Sequence, residues 1–236
     1  ICTCLVGSEM CIRDSILSNF INNGKKKPGF PFLGVTISGG HTQFSLVEDY
    51  FKMKILGETL DDAIGEAFDK CGKKLGLDYP GGPEIDKLSK MGDEHKFNFP
   101  LPKVGGGNIS YSGTKTAFIN FLHNNINKNK NFIDENLHDI CASIQKNLFD
   151  NLLNKVKFLA IENNLNSIIF GGGVSANSYL KNRLDYESRE NNWTVFIPEL
   201  QYTTDNAAMI GIVGYLKYSL SELSDLKSTP LPRYSF

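Results

Sequence analysis

The stretch VTISGGHTQFSLV, residues 35–47, decides the architecture. Two alternating runs of β-formers flank Gly39 and Gly40, the pattern of a hairpin with no side chains at its tip. A further run follows, so residues 32–38, 41–48 and 51–57 are predicted as three short strands. The first two are expected to join through a tight turn in which the glycines supply positive φ. Ser38 and His41 frame that tip.

Outward from the hairpin comes LDDAIGEAFDKCGKKLG, residues 60–76. Leu60, Ile64, Ala67, Phe68, Cys71 and Leu75 recur at helical spacing and form one apolar stripe. Glu58, Asp62, Glu66 and Asp69 fall on the opposite side, the pattern of a solvated face with Glu66–Lys70 and Asp69–Lys73 pairs. Against that plain reading stand two like-charge pairs, Glu58/Asp62 and Asp62/Glu66, and a glycine at 65 that costs about 1 kcal/mol in a helix interior. Such a face suits sugar hydroxyls, a metal or another chain.

Next come PGGP at 80–83, a short helix from Glu84, and an irregular segment through Gly105, Gly106 and Gly107. YSGTK at 111–115 opens another helix, and residues 137–161 carry the apolar spacing of a long core helix. A buried-type strand at 167–170 runs into Gly171, Gly172 and Gly173, followed by a helix from about Ala176, a strand at 194–197 and a helix over 206–220. The order βββα, a helical insertion, then α-β-α-β-α resembles one lobe of the actin-like (ASKHA) ATPase fold, an α/β architecture. There, hairpin tips and strand-to-helix turns face a nucleotide cleft beyond the carboxyl ends of parallel strands. Glycines at those turns let backbone N–H groups approach an anion. Neither a Walker loop nor GxGxxG spacing is present.

Asn177 and Asp205 each precede a helix, which makes both candidates for capping. Asn177 alternatively reads a base or ribose edge, and Asp205 a metal. His95, His123 and His138 lack partners at metal-ligand spacing and read as surface or structural. The 236 residues, 41% hydrophobic, suffice for a real core, and a net charge of −1 argues against a globally basic nucleic-acid binder. No apolar run reaches the ~18 residues of a membrane helix. The five cysteines form neither a disulfide framework nor a zinc pattern. Cys71 and Cys141 lie in apolar helical patterns as buried thiols, which points to a reducing, cytoplasmic setting. Residues 1–15, ICTCLVGSEMCIRDS, lack the basic start of a secretory signal and resemble translated adaptor sequence. They are read as a non-native leader, residues 16–30 as a linker left from a missing N-terminal lobe, and residues 31–236 as the folded lobe.

VTISGGHTQF, LGETLDDAIGEAFDKCGKKLGLDYPGGPEID, FPLP with YSGTKTA, GGGVSANSYL and TDNAAMIG occur in one order. Together they closely resemble the TsaD/YgjD family, bacterial type, over nearly everything from residue 31 onward. The resemblance implies transfer of a threonylcarbamoyl group from threonylcarbamoyl-AMP to N6 of adenosine 37 in tRNAs that read ANN codons. It implies that Thr36, Ile37, Ser38, Gly39 and Gly40 grip the adenylate, with His41 an auxiliary donor. Asp69, Gly82, Asp86 and Asn177 match substrate contacts, and Asp205 matches a ligand of one divalent metal, iron or zinc. No protein nucleophile is implied. The implied partners are tRNA, a paralogous non-catalytic subunit and a small ATPase, with no membrane. The family's His-x-x-x-His pair has no counterpart here, since no histidine precedes His41, so the metal site is expected to be incomplete. An older assignment of the family as metallopeptidases requires His-Glu-x-x-His, which is absent. A non-catalytic scaffold of the same fold would have no chemical need for Asp69, Asn177 and Asp205 together.

Overall fold

The computed structural model describes residues 8–21 and 27–222, with side chains from Ile12 onward. The leader reading of residues 1–7 and the linker reading of residues 22–26 lie outside the described residues. Helix α1 (Ser8–Leu17) precedes strands β1 (Phe32–Ile37), β2 (Thr42–Asp49) and β3 (Lys52–Glu58). Four helices follow: α2 (Ile64–Lys74), α3 (Gly81–Ser89), α4 (Ser112–Ile126) and α5 (Phe132–Glu162). Strand β4 (Ser167–Gly171), helix α6 (Ser178–Glu190), strand β5 (Thr194–Phe196) and helix α7 (Ala207–Ser219) complete the order. The expected sequence of elements holds from β1 onward, with the long core helix beginning at Phe132 and the PGGP helix at Gly81.

The five strands form one sheet in the order β3-β2-β1-β4-β5. β1, β2 and β3 make an antiparallel meander, whereas β4 runs parallel to β1 and β5 parallel to β4. Every residue of β1 is buried because the strand is central and covered on both faces, which is why FLGVTI reads as a nearly continuous apolar run. Its alternation still sorts the two faces. Leu33, Val35 and Ile37 meet Phe68 of α2 and Ile144 of α5, while Phe32 belongs with Ile169, Val213 and Leu216 on the other side.

Residues 8–21, set apart in the sequence as leader and linker, contribute to that second face. Ile12, Ile16, Leu17 and Phe20 are buried, and Ile16, Leu17 and Phe20 share a cluster with Val213 and Leu216 of α7. Each such apolar side chain is worth about 1.5–3 kcal/mol relative to exposure. The i, i+4, i+5, i+8 spacing that produces this face is visible in the sequence once the segment is included.

The hairpin turn differs from expectation. β1 ends at Ile37 and β2 starts at Thr42, leaving a four-residue loop, and the positive-φ glycines are Gly76, Gly106 and Gly172 rather than Gly39 or Gly40. Gly172, just past β4, takes φ 90° and ψ 163°, a region that essentially only glycine occupies. A Cβ there would lie 2.3 Å from the carbonyl oxygen of Ile37. Gly172→Ala is therefore expected to cost about 3 kcal/mol or more, from backbone strain and steric overlap together. A fall in the urea midpoint without loss of cooperativity would report it.

Candidate functional site

Because β1 and β4 are parallel neighbours, with Thr36 opposite Gly171, their carboxyl ends deliver the loop at 38–41 and the turn at 171–173 to the same edge of the sheet. The first loop is organised by Ser38. Its N–H donates to the His41 carbonyl (2.8 Å), while its Oγ accepts from the N–H groups of His41 (3.0 Å) and Gly40 (3.3 Å). Gly39 and Gly40 are exposed, and a Cβ built on either would touch nothing within 4 Å. The Gly39 N–H bonds to no described residue.

Helix α2 starts against this loop. The Ile64 N–H donates to Thr42 Oγ1 (2.9 Å), so a residue of β2 caps a helix whose own N-cap, Ala63, has no acceptor side chain. One residue on, a Cβ at Gly65 would fall 2.6 Å from the Ser38 carbonyl oxygen. Gly65 is thus explained by close main-chain contact, and the expectation that it marks a ligand-approached acidic face is replaced by that packing. The helix also begins four residues later than the apolar stripe suggested: Leu60 is exposed, Glu58 lies on β3 and Asp62 precedes the helix. The two like-charge helical pairs therefore do not exist.

Asp61 and Asp62 have structural work that the sequence reading missed. Asp61 accepts from Ser110 Oγ (2.5 Å), Ser112 Oγ (2.7 Å) and the N–H groups of Tyr111 (2.8 Å) and Ser112 (3.2 Å), fastening the start of α4. Burial pushes its carboxyl up, but these donors outweigh burial and hold it below the ordinary aspartate range. Asp62 joins Lys70 and Lys115, each at 2.5 Å, and burial is again outweighed, here by the two ammonium groups. The Ser-rich start of α4 is the only sequence cue to this arrangement. Of the two ion pairs expected along α2, Glu66–Lys70 forms at 2.8 Å. Asp69 instead accepts from the Gly81 N–H at 2.8 Å.

That bond folds α3 back beside α2 and closes a cleft of about 640 Å³ lined by Gly39, Asp69, Lys73, Tyr79 and Gly81, among others. Gly82 follows Gly81 in the first turn of α3 and rests over Phe68. One helical turn further, Asp86 lines a second cleft of about 420 Å³ with Ser89, Ser178 and Tyr179. Its carboxylate accepts from Ser178 Oγ (2.9 Å) and from the N–H groups of Ser178 (3.0 Å) and Tyr179 (3.4 Å), the favourable place for an anion at a helix N-terminus. Asn177 caps α6 through the Leu180 N–H (3.0 Å) and donates from Nδ2 to Gln145 (2.8 Å). Gln145 is fully buried and was not singled out from the sequence.

Gly173 approaches Thr204, and Asp205 stands just before α7, whose cap is Asn206 rather than Asp205. Asp205 lies close enough to the buried Asp14 of α1 to raise its carboxyl. Burial is the larger cause, Arg13 and Lys217 oppose the rise, and Asp14 is pushed up to about 6. Among the described residues no group of three or more His, Cys, Asp or Glu side chains is placed to hold a metal ion. Two carboxylates without an imidazole do not fit an aspartate-plus-two-histidine centre. His95 and His123 sit on the surface against Glu94 and Asn127, and His138 Nδ1 lies 3.0 Å from the Leu88 carbonyl. Cys71 and Cys141 are buried free thiols, both pushed up to about 12 by desolvation.

Residues 14–212 match the sequence profile of TsaD, tRNA N6-adenosine threonylcarbamoyltransferase. The chain belongs to the TsaD family. It is 50% identical over 222 residues to the tRNA N6-adenosine threonylcarbamoyltransferase of Christiangramia forsetii, covering 94% of this chain and 65% of that protein. To the protein of that name from Riemerella anatipestifer it is 46% identical, covering 93% and 64%. The chain thus spans just under two thirds of the length of these TsaD relatives. Among solved structures, full-length HypF in the phosphate- and nucleotide-bound form superposes with a TM-score of 0.67 at 11% identity, covering 90% of this chain and 43% of that one. The activator of 2-hydroxyisocaproyl-CoA dehydratase from Clostridium difficile with bound ADPNP gives 0.50 at 15% identity, covering 93% and 71%. The fold is the actin-like ATPase fold.

The Asp14 carboxyl generates a pH prediction for this edge of the protein. Its folded value is raised, so the folded state holds the proton more tightly. The group is neutral in both states below its ordinary 3.8, and the burial penalty grows as pH rises from there through about 6. Asp14→Asn is expected to stabilise the chain by on the order of 2 kcal/mol at pH 7, with the gain gone below pH 4. Thermal unfolding of both proteins across pH 3.5–7.5 checks the sign.

Proposed function

We propose that this chain is the actin-like lobe of an enzyme that transfers the threonylcarbamoyl group of threonylcarbamoyl-AMP to N6 of adenosine 37 in tRNAs reading ANN codons. The observation that carries the reading is the loop at 38–41. Gly39 and Gly40 are demanded by neither φ nor packing within the chain, yet they leave an exposed main-chain N–H at the mouth of a cleft. Absence of side chains there serves something that approaches from outside. In this reading Thr36, Ile37, Ser38, Gly39 and Gly40 hold the adenylate, and Asp69, Gly82, Asp86 and Asn177 contact its sugar and base.

The reaction needs orientation more than a protein nucleophile. The N6 amine attacks the carbamoyl carbonyl carbon of a mixed anhydride, the bond to phosphate oxygen breaks, AMP leaves and the amine loses a proton. The protein's part is to align amine and carbonyl and to place donors beside the departing phosphate. An anticodon loop offers the unstacked base this requires. Asp205 would supply one carboxylate toward a divalent metal, iron or zinc, in a site that the described residues leave without its pair of histidines. A paralogous non-catalytic subunit and a small ATPase complete the proposed assembly. Among the described residues no helix is long and apolar enough to cross a membrane, and we place the protein in the cytoplasm, in keeping with its buried thiols.

The test uses cells lacking the transferase. A version extended to the full length of the curated relatives is expected to restore the modified adenosine, measured by mass spectrometry of digested tRNA. Gly39→Ala with Gly40→Ala is expected to reduce modification at least tenfold while shifting stability by no more than about 1 kcal/mol. Full activity in that double variant would overturn the loop's role. The same extended protein carrying Asp205→Ala is expected to lose modification with its melting temperature nearly unchanged, and retained modification would remove Asp205 from the site.

A further inference from the structure

Gln145 lies in the middle of α5, fully buried, with a polar partner at each end of its amide. Nε2 donates to Ser89 Oγ at 2.7 Å, and Oε1 accepts from Asn177 Nδ2 at 2.8 Å. Ser89 in turn donates to the Asp86 carbonyl at 3.0 Å, and Asp86 holds Ser178 through Oδ1 and Oδ2. One continuous network therefore joins α3, α5 and the first turn of α6. A flipped Gln145 amide would set its donors against those of Asn177, an arrangement that leaves a buried polar group unpaired. Asn177 has the same restriction, since its Oδ1 already accepts from the Leu180 N–H. Beyond these two bonds the Asn177 amide keeps the second N–H of Nδ2 and one lone pair of Oδ1.

We propose that Gln145 is a positioning residue that locks the Asn177 amide, so that the site presents a hydrogen-bond donor there and selects an acceptor atom of the bound nucleoside. The inference rests on the reading that Asn177 contacts the adenylate. A ligand atom facing the free N–H of Asn177 Nδ2 is then a ribose oxygen or an unprotonated ring nitrogen. Gln145→Glu keeps the arrangement while its carboxyl is protonated, because an O–H and a C=O replace the amide donor and acceptor.

The test is a double-mutant cycle on the extended, full-length protein with AMP as probe, read by calorimetric titration. Gln145→Leu is expected to weaken AMP about tenfold, and Gln145→Glu by less than about threefold at about pH 4, below the ordinary glutamate range. In an Asn177→Ala background Gln145→Leu is expected to add no further loss. Ser89→Ala removes the acceptor that orients Gln145 without altering the core, and serves if Gln145→Leu does not fold. It is expected to weaken AMP about threefold, again only while Asn177 is present. AMP bound by the parent with losses that add across the cycle, or with no loss on Gln145→Leu, would overturn the positioning role alone. No binding of AMP by the parent would overturn the adenylate reading and this inference with it.

Discussion

The carbonyl oxygen of Ile37 and the α-carbon of Gly172 are packed main chain to main chain, with no room for even a methyl group between them. This contact sets how far the ends of two parallel strands can approach, and the surrounding architecture follows from it. The loop after β1 is seated by the turn after β4, Gly65 at the start of α2 presses on the same loop at Ser38, and Gly171 meets the Ser15 carbonyl from the other side. Backbone, rather than side chains, forms the wall here. Such a wall positions N–H and C=O groups rigidly because a peptide plane has no rotamers to lose.

The carboxylates around that wall act as fasteners between elements. Asp61 ties the turn before α2 to α4, Asp69 ties α2 to α3, and Asp86 ties α3 to α6. In each case the acceptors meet backbone N–H groups, which are charge-assisted bonds of the stronger kind. A carboxylate with two oxygens retains acceptor capacity after one or two such bonds. Asp69 and Asp86 therefore keep acceptor capacity while they line two clefts, and these bonds hold both carboxylates in place.

Much of this was legible in the sequence. Alternation marked β1 and β2, the apolar run before three glycines marked β4, and element order pointed to the actin-like fold, while the order of strands in the sheet came only with the structure. The first residue of α2 was not legible, because Leu60 continues the apolar spacing by coincidence while the chain is still turning. Asp62 is consequently read onto a helix face although it precedes the helix, and Asp61 carries no local signal at all. Their real partners, Ser110, Ser112 and Lys115, lie some fifty residues away, and no local pattern encodes such a pairing. Gln145 was hidden for a related reason: on a long helix it occupies a core position, and only the approach of Ser89 and Asn177 reveals why a polar residue sits there. The glycines show the reverse error. Gly39 and Gly40 were expected to serve a tight turn, yet the demand for glycine inside the chain falls on Gly65 and Gly172.

The margins of the sheet carry a consequence for how this protein meets others. β5 has only three residues, and β3 is interrupted against β2 by register shifts near Ser45 and Asp49 while displaying Lys52 and Lys54. Short length at one border, and bulges with ammonium groups at the other, discourage a foreign strand from zipping on. Self-templated stacking is blocked by the same devices. Whatever recognises this protein has to read its helices and loops, so assembly is governed by shape and charge instead of by main-chain extension of the sheet.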